Sequence, residues 1–273
     1  MVIHWMKGLQ KGMAYVMLGR SSRLQDIFIA GELDVNEIKC DPNALEESNR
    51  LDEMFDQSVE KEQERRSQHW KISYLNVRSM KAADGHAKDV AKDNFIMDSD
   101  IFGLGETWLE EDQEVHFEGF SGYFANFGSG KGIAGYSNLD LVAQPERYGS
   151  ETYSAMMLKT SNFHIVFLYL SKNYDRQGLS YHLNLWIEED VPTAVIGDIN
   201  ENLLKMPMKE ANFAKMMKQK GFHQLIKEPT CHTGSLIDHL YVNNAMKALN
   251  ISSQTDPAYY SDHDIISLYI PKL

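Results

Sequence analysis

Short apolar runs in this chain repeatedly end on a carboxylate, a carboxamide or a histidine, and this pattern narrows the fold more than any other feature. Asn76 closes "KISYLN", Glu106 closes "DIFGLGE", and Asp198 and Asn200 follow "TAVIG". Asp238 sits within "SLIDHLYVN", and Asp262, His263 and Asp264 precede the apolar stretch from Ile265 to Ile270. Apolar runs this short, bounded by turn residues, read as strands. The pattern predicts strands at 71–77, 100–106, 132–137, 154–158, 164–170, 193–197, 236–242 and 265–270. Longer amphipathic stretches predict helices at 87–97, 179–189 and 209–219. Many strands with few intervening helices predict an α/β protein, two packed sheets flanked by helices.

A chain of 273 residues with 43% hydrophobic content has length enough for a real core. Its two cysteines, Cys40 and Cys231, cannot make a disulfide framework and predict a reducing compartment. No apolar run reaches the roughly 20 residues of a membrane span, so no membrane partner is expected and the protein is placed inside the cell. The net charge of −12 argues against tight nonspecific binding to nucleic acid, which favours basic surfaces. A local patch from Lys71, Arg78, Lys81, Lys131, Lys172 and Arg176 is the alternative.

Composition divides the chain near residue 69. Residues 1–42 form a short N-terminal appendage, with a helical segment at 15–18 and a strand-like "DIFIAG". Residues 43–69 are dense in charge and helix formers and read as a charged helical linker. Residues 70–273 carry the polar residues at the strand ends.

Each of those residues has a chemical reading and a plainer one. Residues i and i+2 leaving a strand project to one side, so Asp198 and Asn200 can converge on one atom, a carboxylate activating a water that a carboxamide holds. Gly-Asp-x-Asn is equally common turn chemistry. Glu106, behind Gly103 and Gly105, suits an oxygen-liking cation such as magnesium, with Asn76 as a second oxygen ligand or a phosphate donor; either could instead simply cap its strand. Asp238 can orient His263 and raise its pKa, making a cation able to stabilise charge on phosphorus, while Asp262 is left to act on the metal. His239, by strand alternation, points away from Asp238. Tyr169 could touch a phosphate or leaving group or just pack in the core. Gly128, Gly130, Gly132 and Gly135 read as a hairpin, because no GK[ST] follows them. Phe124, Phe127 and Tyr136 could stack on a base or fill a sheet core.

Six motifs, "LNVRS", "GLGETWL", "FLYL", "VIGDIN", "SLIDHLYVN" and "YSDHD", occur in the order found in the endonuclease/exonuclease/phosphatase family, which residues 70–273 resemble. The resemblance implies a four-layered α/β/β/α sandwich of two mixed sheets. It implies magnesium, replaceable by manganese, held by Glu106 with Asn76 and Asp262. It implies water activation by Asp198 with Asn200, phosphorane stabilisation by His263 oriented by Asp238, and leaving-group assistance by Tyr169. The "ETWL", "EPT" and "IDHLYVN" segments resemble transposon-encoded and apurinic-type nucleases more than inositol or sphingolipid hydrolases. Where family members often carry Pro-Asn after the tyrosine, this chain reads Leu170-Ser171-Lys172-Asn173.

The appendage, through "GMAYVMLGRSSRLQDIFIAGEL", resembles the last conserved segment of Pif-type DNA helicases, which implies a nucleotide-phosphate contact at Arg20. No GxxxxGK[ST] occurs in the chain, so no ATP binding by this chain alone is expected. A helicase remnant joined to a nuclease resembles Helitron-type transposon proteins. The expectation is therefore a metal-dependent DNA endonuclease acting in the nucleus. The rivals are a phosphoinositide or nucleotide phosphohydrolase on the same fold, or a non-catalytic module that binds nucleic acid or a partner.

Overall fold

The computed structural model describes residues 2–4, 28–30, 50, 64–81, 85–128, 130–205 and 211–272. The chain divides into two compact units, Met1–Ser67 and Gln68–Leu273. In the first, β1 (Val2–His4) pairs in parallel with β2 (Phe28–Ala30). Arg20, the 15–18 segment and most of the expected charged linker lie outside the described residues.

The second unit runs through β3 (His69–Asn76), α1 (Ala87–Val90), α2 (Asn94–Met97), β4 (Ile101–Gly105), β5 (Ser121–Ala125), β6 (Ile133–Ser137), β7 (Glu146–Gly149), β8 (Tyr153–Lys159) and β9 (His164–Leu170). It continues through α3 (Arg176–Trp186), β10 (Thr193–Asp198), α4 (Asn212–Gln219), β11 (His223–Gln224), β12 (Asp238–Val242), α5 (Asn244–Lys247), β13 (Ser252–Asp256) and β14 (Ile265–Pro271). The strands form two mixed six-stranded sheets, ordered β11-β12-β10-β9-β8-β7 and β13-β14-β3-β4-β6-β5. The expected sandwich of two mixed sheets between helices is the observed one.

All eight predicted strands are present. The four strands of this unit that apolar patterning did not predict, β5, β7, β11 and β13, are the four sheet edges. An edge strand is covered on fewer sides, so it carries no continuous apolar run; β7 alternates between partly buried and exposed residues. The predicted helix at 87–97 is two short helices instead. Asp93 takes an extended conformation and its side chain accepts from Phe95 N–H, so it starts a new helix where the first would have continued. The helix expected at 179–189 begins earlier, because Asp175 accepts from Gln177 and Gly178 N–H at 3.0 and 3.1 Å. In the helix expected at 209–219, residues 209–210 lie outside the described set, and α4 has its first amides held by the buried Glu201 carboxylate, 2.9 Å from Phe213 N. The glycine segment after Phe127 connects the antiparallel pair β5–β6, as a hairpin should.

Period-two alternation sorts the side chains into layers. Ile165, Phe167 and Tyr169 of β9 face the second sheet, while Val166 and Leu168 lie under α3 and α4 with Leu183, Trp186, Phe213 and Met217. On the second sheet, Ile72 and Tyr74 face inward, whereas Leu75, Phe102 and Leu104 pack outward against Val90, Ile96 and Phe117. Tyr136 belongs to that outer core, its hydroxyl donating to Val115 O at 2.7 Å, so it is not placed to stack on a base. The sheets approach closely where Gly103 and Gly135 sit side by side in register. A Cβ at Gly103 would overlap the Phe167 ring, and one at Gly135 would come within 2.7 Å of Met156 Sδ. Gly103→Ala is therefore expected to destabilise by about 1–3 kcal/mol, read as a lower urea midpoint at unchanged slope. Phe167→Leu in the same chain should recover part of the loss; simple additivity of the two changes would contradict the overlap.

Candidate active site

The inward parity of the core strands carries through to their ends and changes there from apolar to ionisable. Asn76 continues the Ile72–Tyr74 face of β3, and Asp198 continues the Ala194–Ile196 face of β10. Asp238 opens β12 directly opposite Asp198, and Tyr169 lies opposite Asp198 on the other side. Asn76, Asp198 and Asp238 are buried, and His263 is 6% exposed. The Asn76 amide joins the two sheets, donating to Asp198 Oδ2 at 2.9 Å and to Glu106 Oε1 at 3.1 Å.

That orientation differs from the expected oxygen ligand. The Asn76 amide oxygen accepts from Arg78 N at 3.2 Å, so its N–H groups, not its oxygen, face the carboxylates. Asn76 aligns two acids here. Asn200 also reaches Asp198 by another route than strand alternation. The strand ends at Asp198, and Asn200 takes a left-handed φ of 56°. Its backbone N–H donates to Asp198 Oδ1 at 3.0 Å, while its side chain donates to Leu170 O at 2.9 Å and Asp198 Oδ2 at 3.3 Å. The turn chemistry and the carboxylate–carboxamide pair are thus one structure. Glu106 is left-handed as well, with φ of 49°, as are Arg78 and Trp108. Such strain gathers at functional sites, because surrounding structure must hold it.

His263 Nδ1 lies 2.8 Å from Asp238 Oδ2, with both side chains buried. Thr230 fixes that carboxylate, its hydroxyl donating to Asp238 Oδ2 at 2.8 Å and accepting from Asp238 N at 3.0 Å. One ligand atom each from Asp198, Asp238 and His263 fall within 4.8 Å of one another. Burial lowers the His263 pKa, but the Asp238 carboxylate, its hydrogen bond and the charge of Asp198 outweigh it and raise the group to about 10. Burial first, and the Asp238 charge second, push Asp198 up to about 8 against the lowering effects of His263 and the Asn76 and Asn200 hydrogen bonds. Tyr169 is pushed up by burial and by the neighbouring Glu106 and Asp198 charges.

Asp262 is half-exposed and ion-paired through Oδ2 to Arg78 at 2.9 Å. Its Oδ1 and the Oδ1 of Asp238 are enclosed and accept no hydrogen bond. Buried carboxylate oxygens without donors are costly unless a cation satisfies them, so Asp262 and the Asp198–Asp238–His263 cluster fit a divalent metal, while both oxygens of Glu106 accept from Asn76 and Trp108. Beside Asp262 opens a cleft of about 390 Å³, lined among others by Arg78, Lys81, His86, Trp108 and Tyr260. Arg78 and Lys81 of the expected basic patch are here, paired to Asp262 and Glu110. Lys71 is not; it is buried, its Nζ 5.8 Å from the centre of the Tyr269 ring.

Several supporting residues carried no signal of their own in the sequence. Thr230 acts on Asp238, Trp108 Nε1 donates to Glu106 at 3.4 Å, and Ser261 Oγ donates to Asn76 O at 2.7 Å. Each lies within or beside a quoted motif, and only position could have suggested it. His239 faces away from the cluster as alternation predicts, Nε2 donating to Glu201 O at 2.8 Å.

Residues 74–263 match the model of the Endonuclease/Exonuclease/phosphatase family. No curated protein matches the chain. Among solved structures, an AP endonuclease from Archaeoglobus fulgidus superposes with a TM-score of 0.60 at 16% identity, covering 74% of this chain and 99% of its own. The 3′ phosphatase NExo from Neisseria, bound to product DNA hairpin, gives 0.58 at 15% identity, covering 74% and 99%. The endonuclease domain of TRAS1, a telomere-specific non-LTR retrotransposon, gives 0.55 at 16%, covering 74% and 98%. At these identities the likeness is one of fold. No helix among the described residues is long and apolar enough to cross a membrane.

The second face of β12 yields a stability test. Burial holds His239 down at about 4, below the ordinary value of 6.5. The unfolded chain binds this proton and the folded one does not, so His239 adds stability above about pH 6.5 that is lost as pH falls towards 4. Relative to His239→Gln, the protein should lose roughly 3 kcal/mol of unfolding free energy between pH 7 and 4. Denaturant titrations of both proteins at four or five pH values measure the difference; a pH-independent gap would contradict it.

Proposed function

We propose, for a chain that belongs to the endonuclease/exonuclease/phosphatase family, that it is a magnesium-dependent DNA endonuclease for which manganese can substitute. The observation that carries this reading is the Asn76–Asp198 hydrogen bond at 2.9 Å, which ties the Asn76 and Glu106 end of one sheet to the Asp198 and Asp238 end of the other, with His263 held against Asp238. Asp198, raised towards neutrality, accepts a proton from the attacking water, and Asn200 holds the carboxylate in line. His263, kept cationic by Asp238, stabilises the charge that grows on the phosphoryl oxygens. Water attacks phosphorus, the bond to O3′ breaks, and the Tyr169 hydroxyl supplies a proton to the departing oxygen, leaving a 3′-hydroxyl and a 5′-phosphate. Glu106 and Asp262 are the residues to hold magnesium, with Asn76 aligning Glu106. When bound, the ion supplies Lewis-acid stabilisation of the phosphoryl and leaving oxygens.

The acidic balance of the chain is compatible with a DNA partner if phosphate replaces carboxylate locally. Arg78 and Lys81 are already positioned by Asp262 and Glu110 at the rim of the cleft, and a DNA phosphate can take either partner's place. A transposon origin, with the N-terminal segment around Arg20 as a former helicase tail, rests on the sequence resemblance of that segment.

Supercoiled plasmid incubated with magnesium should convert to open circle, and EDTA should prevent it. Asp198→Ala and His263→Ala should each slow nicking on the order of a hundredfold or more. Phosphate release from monoesters without nicking would assign the chain to the phosphohydrolases of the fold. Nicking indifferent to both substitutions would place the chemistry elsewhere.

A further inference from the structure

Cys231 borders the site, and the proposed hydrolysis does not use it. Its sulfur, a carboxylate oxygen of Asp262 and a ring nitrogen of His263 all lie within 4.8 Å of one another. The backbone holds this group together. Cys231 bridges both Ser235 and His263, and His232 N donates to Asp262 O at 2.9 Å. His263 is oriented by Asp238 through Nδ1, which leaves Nε2 facing Asp262 Oδ1 at 4.0 Å. That oxygen accepts no hydrogen bond although it is enclosed.

We propose that Cys231, Asp262 and His263 form a site for a borderline divalent ion of the zinc class, and that its occupancy inhibits hydrolysis. Thiolate, imidazole and carboxylate make a donor set that zinc favours and magnesium, which prefers oxygen alone, does not. An Asp238 carboxylate behind the ligating imidazole is the outer arrangement that orients histidine at zinc centres. Bond lengths of roughly 2.0–2.3 Å put tetrahedral donors between about 3 and 4 Å apart, so modest inward movement closes the set around one ion. Asp262 is 38% exposed and gives the ion its way in, with water as the fourth ligand. On binding, the proton of the Cys231 thiol and any proton on His263 Nε2 are released to solvent, while lone pairs of the resulting thiolate sulfur, the imidazole nitrogen and the carboxylate oxygen go to the ion. Inhibition, unlike binding, rests on the function proposed above: the ion takes the imidazole as a neutral ligand and occupies the carboxylate expected to hold magnesium.

Cobalt is the probe for binding, because a thiolate ligand gives it a charge-transfer absorption in the near ultraviolet. One equivalent should produce the band in the full chain, and zinc should abolish it. Cys40→Ser should keep the band and Cys231→Ser should lose it. In competition with a chromophoric chelator, zinc affinity should fall on the order of tenfold or more in Cys231→Ser and in Asp262→Asn. Zinc should inhibit magnesium-supported plasmid nicking, and Cys231→Ser should require about tenfold more zinc for the same fractional loss of its own zinc-free rate. No band in the wild type, or a band that survives Cys231→Ser, would overturn the site. Should Cys231→Ser fail to unfold cooperatively, Asp262→Asn, altered at a partly exposed side chain, decides on affinity alone. A cobalt band in a protein that nicks nothing would sink the endonuclease reading and leave the ion site standing; nicking without the band would do the reverse.

Discussion

The close contact of the two sheets at Gly103 and Gly135 is the constraint on which the rest of the second unit depends. Two glycines side by side in register leave a hollow in one sheet, and Phe167 and Met156 of the other fill it. The same economy recurs one step along β4, where the Tyr74 hydroxyl occupies the space a side chain at Gly105 would need. With the sheets held this close, Asn76 can span the gap at hydrogen-bond distance and act on acids from both sides. Were the sheets further apart, the same residues would be solvated strand ends.

Within that gap the charges are balanced by proximity rather than by solvent. Asp198 and Asp238 are both buried and repel each other, and His263 lies close to both. A buried acid pair of this kind is tolerable only with an imidazolium beside it and donors around it, which Thr230, Asn76 and Asn200 provide. Backbone strain gathers at the same end of the molecule: Arg78, Ser79, Glu106, Trp108 and Asn200 all adopt positive φ. Local conformational preference yields there to the geometry of the cluster.

Much of the inner fold could be read from apolar runs, because strands covered on both faces are nearly continuous in hydrophobicity. The edges β5, β7, β11 and β13 could not, since partial exposure dilutes that signal. The break at Asp93 was hidden because its helical flanks resemble one helix unless the aspartate is recognised as a cap. At the site, alternation turned His239 away from Asp238, but Asn200 reaches Asp198 through a left-handed turn that no alternation rule contains. Asn76 was expected as an oxygen donor; which end of an amide faces the acids depends on Arg78 N, a tertiary contact that residue type does not reveal. Thr230 and Trp108 act only through neighbours that the fold brings to them.

The order of strands in the second sheet also bears on how this protein is made. β14 lies between β13 and β3, and Ser267 reaches Ser73 across 194 residues of chain, hydroxyl to hydroxyl at 2.9 Å. On the ribosome, β3 can meet β4 early but must wait for nearly the whole of this unit before β14 emerges on its other side, and pairings of such separation close slowly. His263 arrives just ahead of β14. Nascent chains therefore acquire the His263 imidazole in the same event that pairs β14 with β3.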